Sequence, residues 1–509
     1  MAVDAKKLLA GATLAAGIAV IVVACGGGGD GSNFVDVTKG LVIQNVTVVD
    51  TRDGSLKPGM AVVIDAGKIQ NITGDRVRLS GSAQSIDGSG KFVVPGFNDM
   101  HTHALSTLDN PPGDLPVLLA NGVTGVREAG GSPPLIQRAK QLNAGVAAGT
   151  TFSPEVLLMP SVIFAGQAPT DPAARQFVRD RKSEGADYIK MVAGPRDAFL
   201  AAIDEAKIQG LHSAGHLPLT LSALDASNAG YHSFEHLGSG VGLVLDCASD
   251  EPSIRQAMIA NPPPPGPNVI NPRLYDGNFN AVYYQRIIDS YSDAKCQSLA
   301  QAFVKNDTWQ APTLIRLRTQ DFGDDASYRN DANLIYVDKT RRALWESIAQ
   351  QFATTITPST RATLQQYYAL QIKVVKLLKQ TGVKMMAGTD LGGGLVIPGF
   401  SLHQEFKELA AAGLSPLEVL QMTTLNAAQF LHREATMGTV EAGKNADLVV
   451  LDANPIAAVA NLDRISAVVS KGKYLSRVNL DQLLRDVAAQ NAAQPVKALE
   501  TALDPTHTD

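Results

Sequence analysis

The stretch FVVPGFNDMHTH, residues 92–103, decides how this chain is interpreted. Here an apolar run of β-type residues ends on His101, Thr102 and His103. Side chains alternate along a strand with a period of two, so both imidazoles point to the same side. One strand can therefore offer two imidazole ligands to one divalent metal ion such as zinc. The pair predicts half of a metal site, although an HxH triplet alone often has no function.

The composition is that of an ordinary globular protein, long enough for several domains. Of its 509 residues, 45% are hydrophobic and 18% are charged. The net charge of -5 provides no basic surface for a nucleic acid. We therefore expect no nucleic-acid partner, and the composition leaves oligomer formation open.

The first 25 residues differ from the rest of the chain. Lys6 and Lys7 precede the apolar run LLAGATLAAGIAVIVVA, which ends at Cys25 and is followed by GGGGDGSN. A charged region, an apolar region and small residues before a cleavage point are typical of an export signal. VVAC at 22–25 also resembles the lipobox of bacterial lipoproteins, whereas a plain transmembrane anchor is the alternative.

The lipobox resemblance implies where the protein resides. Residues 1–25 would be a lipoprotein signal peptide, and 26–34 a glycine-rich linker. The lipidated Cys25 would attach the protein to a membrane, and Gly26 after it favours the outer membrane. We expect an exported bacterial lipoprotein in the periplasm, at the outer membrane or at the cell surface.

Export also changes the interpretation of Cys247 and Cys296. Two cysteines in an oxidising compartment are candidates for a disulfide. They bracket a proline-rich segment, residues 261–278, that has no periodicity of its own. Two unrelated buried thiols are the alternative.

The pattern along the chain predicts a TIM barrel inserted into a small β-sandwich. Short β-type runs separated by Gly, Asp and Asn occupy residues 35–95 and 436–478, which favours one small β-sandwich domain built from both flanks. Residues 96–435 alternate apolar strands with helical stretches, which predicts an α/β fold with parallel strands. Residues 479–509 would form a C-terminal helix and a polar tail.

Eight strand candidates lie between the two flanking parts, which is the number in a (β/α)8 barrel. Helical stretches at 196–209 and 364–382 separate some of them. The eight are FVVPGFNDM ending at His101, then GVTGVREAG (122–130), EVLLMPSVIF (155–164), YIKMVA (188–193), GLHSAGH (210–216), YHSFEHL (231–237), WQAPTLIRL (309–317) and VKMMAGTD (383–390).

Metal-binding side chains fall at the ends of these strands, where a barrel carries its chemistry. They are His101 and His103 on strand one, Lys190 on strand four, His216 on strand five, His236 on strand six and Asp390 on strand eight. Each has an ordinary alternative, such as a structural histidine, a turn-capping aspartate or a surface lysine. Their joint placement favours a metal site.

This order of residues resembles the amidohydrolase superfamily, and specifically its binuclear-metal branch. FVVPGFNDMHTH is similar to the family's first-strand signature, and MAGTDLG (386–392) is similar to its eighth-strand signature. Residues 402–431 and 438–455 are similar to its C-terminal part. DYIKMV, AGHLP and SFEHL resemble the imidazolonepropionase-like and Xaa-Pro-dipeptidase-like subgroup.

The resemblance implies two divalent metal ions, with zinc favoured and manganese or cobalt possible. His101 and His103 would bind the more buried ion with the help of Asp390, and His216 and His236 the more exposed one. Lys190 would be N6-carboxylated and would bridge both ions.

The resemblance also implies the reaction. A hydroxide bridging the metals would attack the amide bond of a small molecule such as a dipeptide or N-acyl amino acid. Asp390 would act as general base and later protonate the leaving amine.

Three other functions compete with this hypothesis. A mononuclear deaminase shares the barrel but typically has a glutamate shortly after the histidine of strand five, where this chain has Leu217, Pro218 and Leu219. Opening of an imidazolone or another cyclic amide suits an exported protein less well. A surface-attached binding protein that lost catalysis is the third alternative.

Overall fold

The computed structural model describes residues 34–105, 113–263 and 270–496. The predicted signal peptide with Cys25, nearly all of the glycine-rich linker and the end of the polar tail lie outside these ranges. Lipidation and export therefore stay predictions. Within the described ranges, no helix is both long and apolar enough to cross a bilayer.

The strands lie in two parts of the chain, before Pro312 and after Asp447. They are β1 Phe34–Val37, β2 Leu41–Val49, β3 Leu56–Asp65, β4 Lys68–Thr73, β5 Arg76–Leu79, β6 Gln84–Asp87, β7 Phe92–Pro95, β8 Phe97–Thr102, β9 Val123–Glu128, β10 Glu155–Leu158, β11 Phe164–Ala165, β12 Tyr188–Ala193, β13 His212–Gly215, β14 Ser233–Glu235, β15 Trp309–Ala311, β16 Leu448–Leu451, β17 Ile465–Ser470 and β18 Lys473–Ser476.

The helices fill the middle of the chain and its C-terminal end. They are α1 Leu115–Ala120, α2 Pro133–Ala148, α3 Asp171–Glu184, α4 Arg196–Ile208, α5 Ala223–Ala229, α6 Gly242–Asp246, α7 Glu251–Ala260, α8 Arg273–Asp289, α9 Asp293–Asn306, α10 Leu314–Asp321, α11 Ala326–Arg329, α12 Lys339–Thr355, α13 Pro358–Thr381, α14 Phe400–Ala411, α15 Pro416–Thr423, α16 Leu425–Phe430 and α17 Arg477–Ala493.

The outer sheet combines strands from both flanks of the chain. Its order is β18-β17-β16-β7-β2-β3-β4, and β6 pairs with β2. The join between the flanks is the antiparallel pair of β7 and β16, in which Pro95 lies opposite Leu448. Val62, Val93 and Val469 belong to the buried apolar cluster of this sheet. Burial of these side chains, a main source of folding free energy, ties the two flanks together.

The inner strands are parallel and form two sheets, of three strands in the order β10-β9-β8 and of five in the order β11-β12-β13-β14-β15. All six residues of β8 are buried, as expected of a parallel strand that is covered on both faces. The architecture is therefore α/β, as predicted. Within the described ranges, the hydrogen bonds between these strands do not form one continuous, closed sheet. The TIM barrel itself therefore stays a prediction.

The expected strands seven and eight differ from the sequence prediction. Only Trp309–Ala311 of the segment 309–317 is a strand, and helix α10 begins at Leu314. The segment 383–390 forms one isolated bridge, between Met385 and Gln310, and no strand. At Asp390 the backbone has a φ of 58°, which does not belong to a β-ladder.

The segment 383–391 nevertheless lies between β15 and β8. Met386 N donates to Gln310 O at 2.9 Å on one side, and Asp390 N donates to His101 O at 2.9 Å on the other. A Cβ atom at Gly388 would lie 2.9 Å from the Cβ of His101, so only glycine permits this approach. The segment therefore brings Asp390 beside the histidines of β8.

The long insertion after β14 is joined by a disulfide. Cys247 follows α6 and Cys296 lies in α9, and the structure bonds them across 49 residues of sequence. Both residues are buried. The bridge fixes the end of α6 against α9.

Candidate metal centre

All six residues that the sequence predicts as metal ligands are buried. Their exposed fractions range from 0% to 5%. They stand at or just beyond the ends of the parallel strands: His101 and His103 at β8, Lys190 in β12, His216 after β13, His236 after β14 and Asp390 after the segment 383–389. Because parallel strands end at one edge, ligands from distant parts of the sequence meet there.

Three of the residues meet at the centre of the site. Ligand atoms of His101, His236 and Asp390 all lie within 4.8 Å of one another. Asp390 Oδ1 is 3.2 Å from His101 Nε2, and Asp390 Oδ2 is 4.0 Å from His236 Nε2. Two imidazoles and a carboxylate at this spacing form a candidate site for a divalent metal ion.

The other two histidines lie next to this triad. His103 Nε2 is 3.3 Å from Asp390 Oδ1, the same oxygen that faces His101. The ring of His216 lies 5.2 Å from the ring of His236, centroid to centroid. His103 thus lies beside Asp390, and His216 lies beside His236.

The sixth residue, Lys190, reaches the triad through a carboxylate that the sequence analysis missed. Lys190 Nζ lies 2.6 Å from Glu235 Oε2, and the same oxygen is 3.2 Å from His101 Nδ1. Arg127 Nη2 lies 2.6 Å from the other oxygen of Glu235. Glu235 is fully buried and directly precedes His236, so the motif SFEHL supplies both residues.

The donor atoms fit a metal ion. Among the described residues, both ring nitrogens of His101, Nε2 of His236 and Oδ1 of Asp390 are buried without a hydrogen bond of acceptable geometry. Buried polar atoms without partners are costly, and native proteins usually satisfy them. Divalent metal ions would satisfy these atoms together, so the residues present suit such ions.

Neighbouring groups lie at the Nδ1 side of two of the imidazoles. His236 Nδ1 and the Thr313 hydroxyl are hydrogen-bonded at 2.5 Å, which leaves Nε2 directed at Asp390. Glu235 Oε2 lies 3.2 Å from His101 Nδ1, without the geometry of a hydrogen bond. Hydrogen bonds at one ring nitrogen fix the tautomer that binds metal through the other.

Unusual backbone conformations occur at the site. His236, Thr313 and Asp390 have φ values of 54°, 43° and 58°. Non-glycine residues rarely adopt this left-handed region, and each instance costs about 1 to 3 kcal/mol. Such outliers persist where the surrounding structure imposes them, and they are frequent at functional sites.

The charges of the centre favour metal binding. Burial lowers the pKa of His236 well below its usual value, which favours the neutral imidazole that binds metal. Burial alone would raise the pKa of Asp390, but the imidazoles of His236, His101 and His103, which face this carboxylate, outweigh burial and hold the pKa well below its usual range. Asp390 is therefore an anion, as a ligand must be.

A second residue that the sequence analysis missed is Arg316 in α10. Its Nε donates to Asp390 Oδ2 at 3.0 Å, and its side chain is 4% exposed. A buried guanidinium is thus in direct contact with the predicted catalytic aspartate. The only local signal is the charged residue inside the apolar run TLIRL, residues 313–317.

Asp99 links the two segments that carry the triad. Its carboxylate accepts hydrogen bonds from the Thr389 hydroxyl at 2.6 Å and from the Thr389 backbone N at 3.0 Å. It also accepts from the backbone N of His101 at 3.3 Å. Burial raises the pKa of Asp99 to about 7. Asp99 therefore positions β8 against the segment that ends at Asp390.

Tyr231 and three further histidines have structural contacts elsewhere. The Tyr231 hydroxyl donates to the backbone oxygen of His216 within the core. His212 and His232 stack at 3.8 Å near the start of β13, at the opposite end of that strand from His216. His403 lies 3.0 Å from the backbone oxygen of Asn121. None of these contacts reaches the triad.

Comparison with known proteins finds a family match over part of the chain. Residues 367–475 match the family model described as "Amidohydrolase family". Adenine deaminase from Listeria welshimeri is 40% identical over 84 residues, which are 16% of this chain and 14% of that protein. The chain thus matches about a seventh of the length of this curated relative.

Solved structures are similar over most of the chain. Bottromycin amidohydrolase has a TM-score of 0.66 and 21% identity, and the alignment covers 90% of this chain and 93% of that one. A Xaa-Pro dipeptidase with methionine bound in its active site has a TM-score of 0.57 and 18% identity, with 86% and 99% covered. These likenesses show the fold alone. The family match is limited to residues 367–475, so this part of the chain is similar to the amidohydrolase family.

Proposed function

We propose that this protein hydrolyses an amide bond in a small carboxylate-bearing molecule, such as a dipeptide or an N-acyl amino acid. The observation that carries the proposal is the meeting of His101, His236 and Asp390 within 4.8 Å, although 289 positions separate the first from the last. Burial of polar atoms from three distant segments without partners costs folding free energy. A bound metal ion would offset that cost.

The ligand set would hold two divalent metal ions. His101, His103 and Asp390 would hold one ion, and His216 and His236 the other, with Lys190 between them as an N6-carboxylated bridge. Zinc is the proposed metal because it accepts imidazole and carboxylate ligands. Bound ions of this kind activate a water molecule and polarise the carbonyl of the scissile amide.

Asp390 would move the proton of the reaction. Its carboxylate is ionised and lies in the centre of the site, so it can accept a proton from the attacking water. The proton would then pass from its carboxyl oxygen to the nitrogen of the leaving amine. Thr389 and Asp99 hold the backbone beside it, which keeps this carboxylate in place.

Arg316 supports a substrate that carries a carboxylate. When Asp390 shares its charge with a metal ion, the buried guanidinium of Arg316 favours a further anion nearby. A substrate carboxylate can supply that anion and can bind arginine through two parallel hydrogen bonds. Dipeptides and N-acyl amino acids both have a carboxylate close to the scissile amide.

We also infer that the parallel strands close into a TIM barrel. The segment 383–391 bonds to β15 and to β8, and an isolated bridge between Pro160 and Tyr188 connects the strands on the other side. These contacts support a ring of eight strand positions, with the outer sheet as a separate small β domain. Membrane attachment through lipidated Cys25 belongs to the same proposal and rests on the sequence alone.

A deaminase is the second candidate, favoured by the sequence match to adenine deaminase. Against it, Leu217 and Leu219 follow His216 and line an apolar cavity. The buried Glu235 near the site is already engaged by Lys190 and Arg127. No carboxylate is therefore placed after His216 in the way that a deaminase requires.

Metal content and hydrolysis together test the proposal. We expect two equivalents of zinc per chain and release of a free amino group from dipeptides or N-acyl amino acids. Asp390→Asn should retain much of the metal and lose at least about 100-fold in kcat, because it cannot accept the proton. An exposed aspartate serves as the control, and Asp289→Asn should retain full activity. One equivalent of metal with ammonia release from a nucleobase would overturn the proposal in favour of a deaminase.

A further inference from the structure

A cavity of about 260 Å³ lies beside His216, between the end of β13 and the insertion after β14. Pockets for whole drug-sized ligands span about 300 to 1,000 Å³, so this cavity suits one part of a substrate. Most of its wall is apolar and would surround an aliphatic chain. The apolar lining includes Val192, Leu217, Leu219, Val241 and Met258.

One face of helix α8 makes the polar wall of this cavity. Asp276, Asn280 and Tyr284 line it at intervals of four residues, the spacing that places side chains on the same face of a helix. Asp276 Oδ1 and Asn280 Oδ1 are both buried and have no hydrogen-bond partner among the described residues. Asn280 is only 5% exposed. Two acceptor oxygens of lining residues are thus without a hydrogen-bond partner among the described residues.

The charges around α8 do not balance. Arg273 Nε lies 2.6 Å from Asp321 Oδ1, so this arginine is neutralised by its nearer partner. Its Nη1 is 3.9 Å from Asp276 Oδ2. One cation and two carboxylates leave one negative charge in excess. Burial raises the pKa of Asp276, although Arg273 opposes the shift.

We propose that this cavity binds a cationic nitrogen of the substrate, an ammonium or guanidinium group on an aliphatic stem, through Asp276 Oδ1 and Asn280 Oδ1. The inference rests on the proposed amide hydrolysis and names a chemical group of that substrate. The apolar lining takes the stem, and the two acceptors take the N–H donors. A carboxylate at Arg316 and a cation at Asp276 would together select a substrate that carries both charges.

Binding of simple amines tests the proposal without any need for hydrolysis. Titration calorimetry on the metal-loaded full chain would compare n-pentylammonium with n-pentanol, which has a stem of the same length and no charge. We expect about tenfold tighter binding of the ammonium, since a charge-assisted hydrogen bond exceeds a neutral one. Asp276→Asn should reduce the preference to about twofold, whereas Asp289→Asn, an exposed residue of the same helix, should leave it unchanged.

A second variant provides a test that remains valid if Asp276→Asn does not fold. Asn280→Leu removes one acceptor without a change of charge, and it should weaken ammonium binding and leave pentanol binding intact. Equal binding of the two probes by the wild-type protein would overturn the inference, as would a preference that survives Asp276→Asn. Hydrolysis of neutral dipeptides in that case would leave the proposed function standing.

Two further ligands locate the cation within the substrate. Nα-acetyl-lysine carries only a side-chain ammonium, and norleucine carries only an α-ammonium. If the side chain fills the cavity, Asp276→Asn weakens the binding of Nα-acetyl-lysine alone. If the α-ammonium fills it, the variant weakens the binding of norleucine alone. If the wild type and Asp276→Asn bind both ligands equally well, the assignment is wrong.

Discussion

Lys190 Nζ and Glu235 Oε2 lie 2.6 Å apart, and both side chains are fully buried. Burial alone would raise the pKa of Glu235, but Lys190, His101 and Arg127 outweigh it and hold this pKa well below its usual range. A carboxylated Lys190 would be an anion beside this carboxylate. Arg127 is the cation that would then balance Glu235, so a carbamate at Lys190 requires Arg127.

Lys190→Ala is expected to abolish activity and to lower the metal content. The variant removes the proposed bridge between the metal ions. Short carboxylates such as acetate or propionate should restore part of the activity, because they can occupy the space and charge of the bridge. Elemental analysis and an amide hydrolysis assay measure both effects.

Lys384→Ala is the matched control, since Lys384 pairs at the surface with Asp307 and is the second residue of the segment 383–390. It should retain metal and activity. An unchanged metal stoichiometry in Lys190→Ala would show that Lys190 does not bridge, and its ion pair with Glu235 would then be structural.

Arg316 should determine whether the substrate needs a carboxylate. Arg316→Met keeps much of the apolar bulk and removes the charge, so KM for a dipeptide should rise at least about tenfold. KM for the C-terminal amide of the same dipeptide should change little. A purely structural role, in which Arg316 only holds Asp390, would instead lower kcat equally for both substrates.

The residues of the candidate centre could be selected from the sequence because most of them follow a short apolar segment. His101 closes β8, and His216 and His236 directly follow β13 and β14. A strand of this kind is recognisable locally, and parallel strands end at the same edge. Lys190 lies within β12, so its selection rested on the family resemblance.

The partners of these residues could not be found in that way. Glu235 stands beside His236 in the sequence, but its contacts are with Lys190 and Arg127, 45 and 108 positions away. Local periodicity carries no information about such pairs. The run TLIRL fits a strand or a helix equally well, and tertiary packing made it the start of α10.

Glu405 should give the stability of the fold a measurable pH dependence. Its carboxylate accepts a hydrogen bond from the backbone N of Ile315 at 2.7 Å, in the first turn of α10. Burial raises its pKa to about 8 from 4.5. The folded state therefore keeps a proton that the unfolded state releases. This contribution to stability is complete below about pH 4.5 and is lost as the pH rises to about 8.

Glu405→Gln keeps an acceptor for Ile315 N and does not titrate. Between pH 5.5 and 8, the free energy of unfolding of the wild type should therefore decrease as the pH rises. In Glu405→Gln the decrease should be smaller by up to about 3 kcal/mol. Urea unfolding at several pH values measures the difference. Parallel pH profiles for the two proteins would show that Glu405 is ionised throughout this range.

The disulfide between Cys247 and Cys296 should stabilise the insertion that carries α8 and its cavity. The bridge closes 49 residues of sequence, and a loop of this length corresponds to about 4 kcal/mol of unfolding free energy in the chain-entropy model. Replacement of both cysteines by alanine should lower stability by an amount of this order in denaturant titrations. Peptide mapping without reductant should find the two cysteines linked in the wild-type protein. If they are found as free thiols, and if reductant leaves the unfolding midpoint unchanged, α6 and α9 are held together by packing alone.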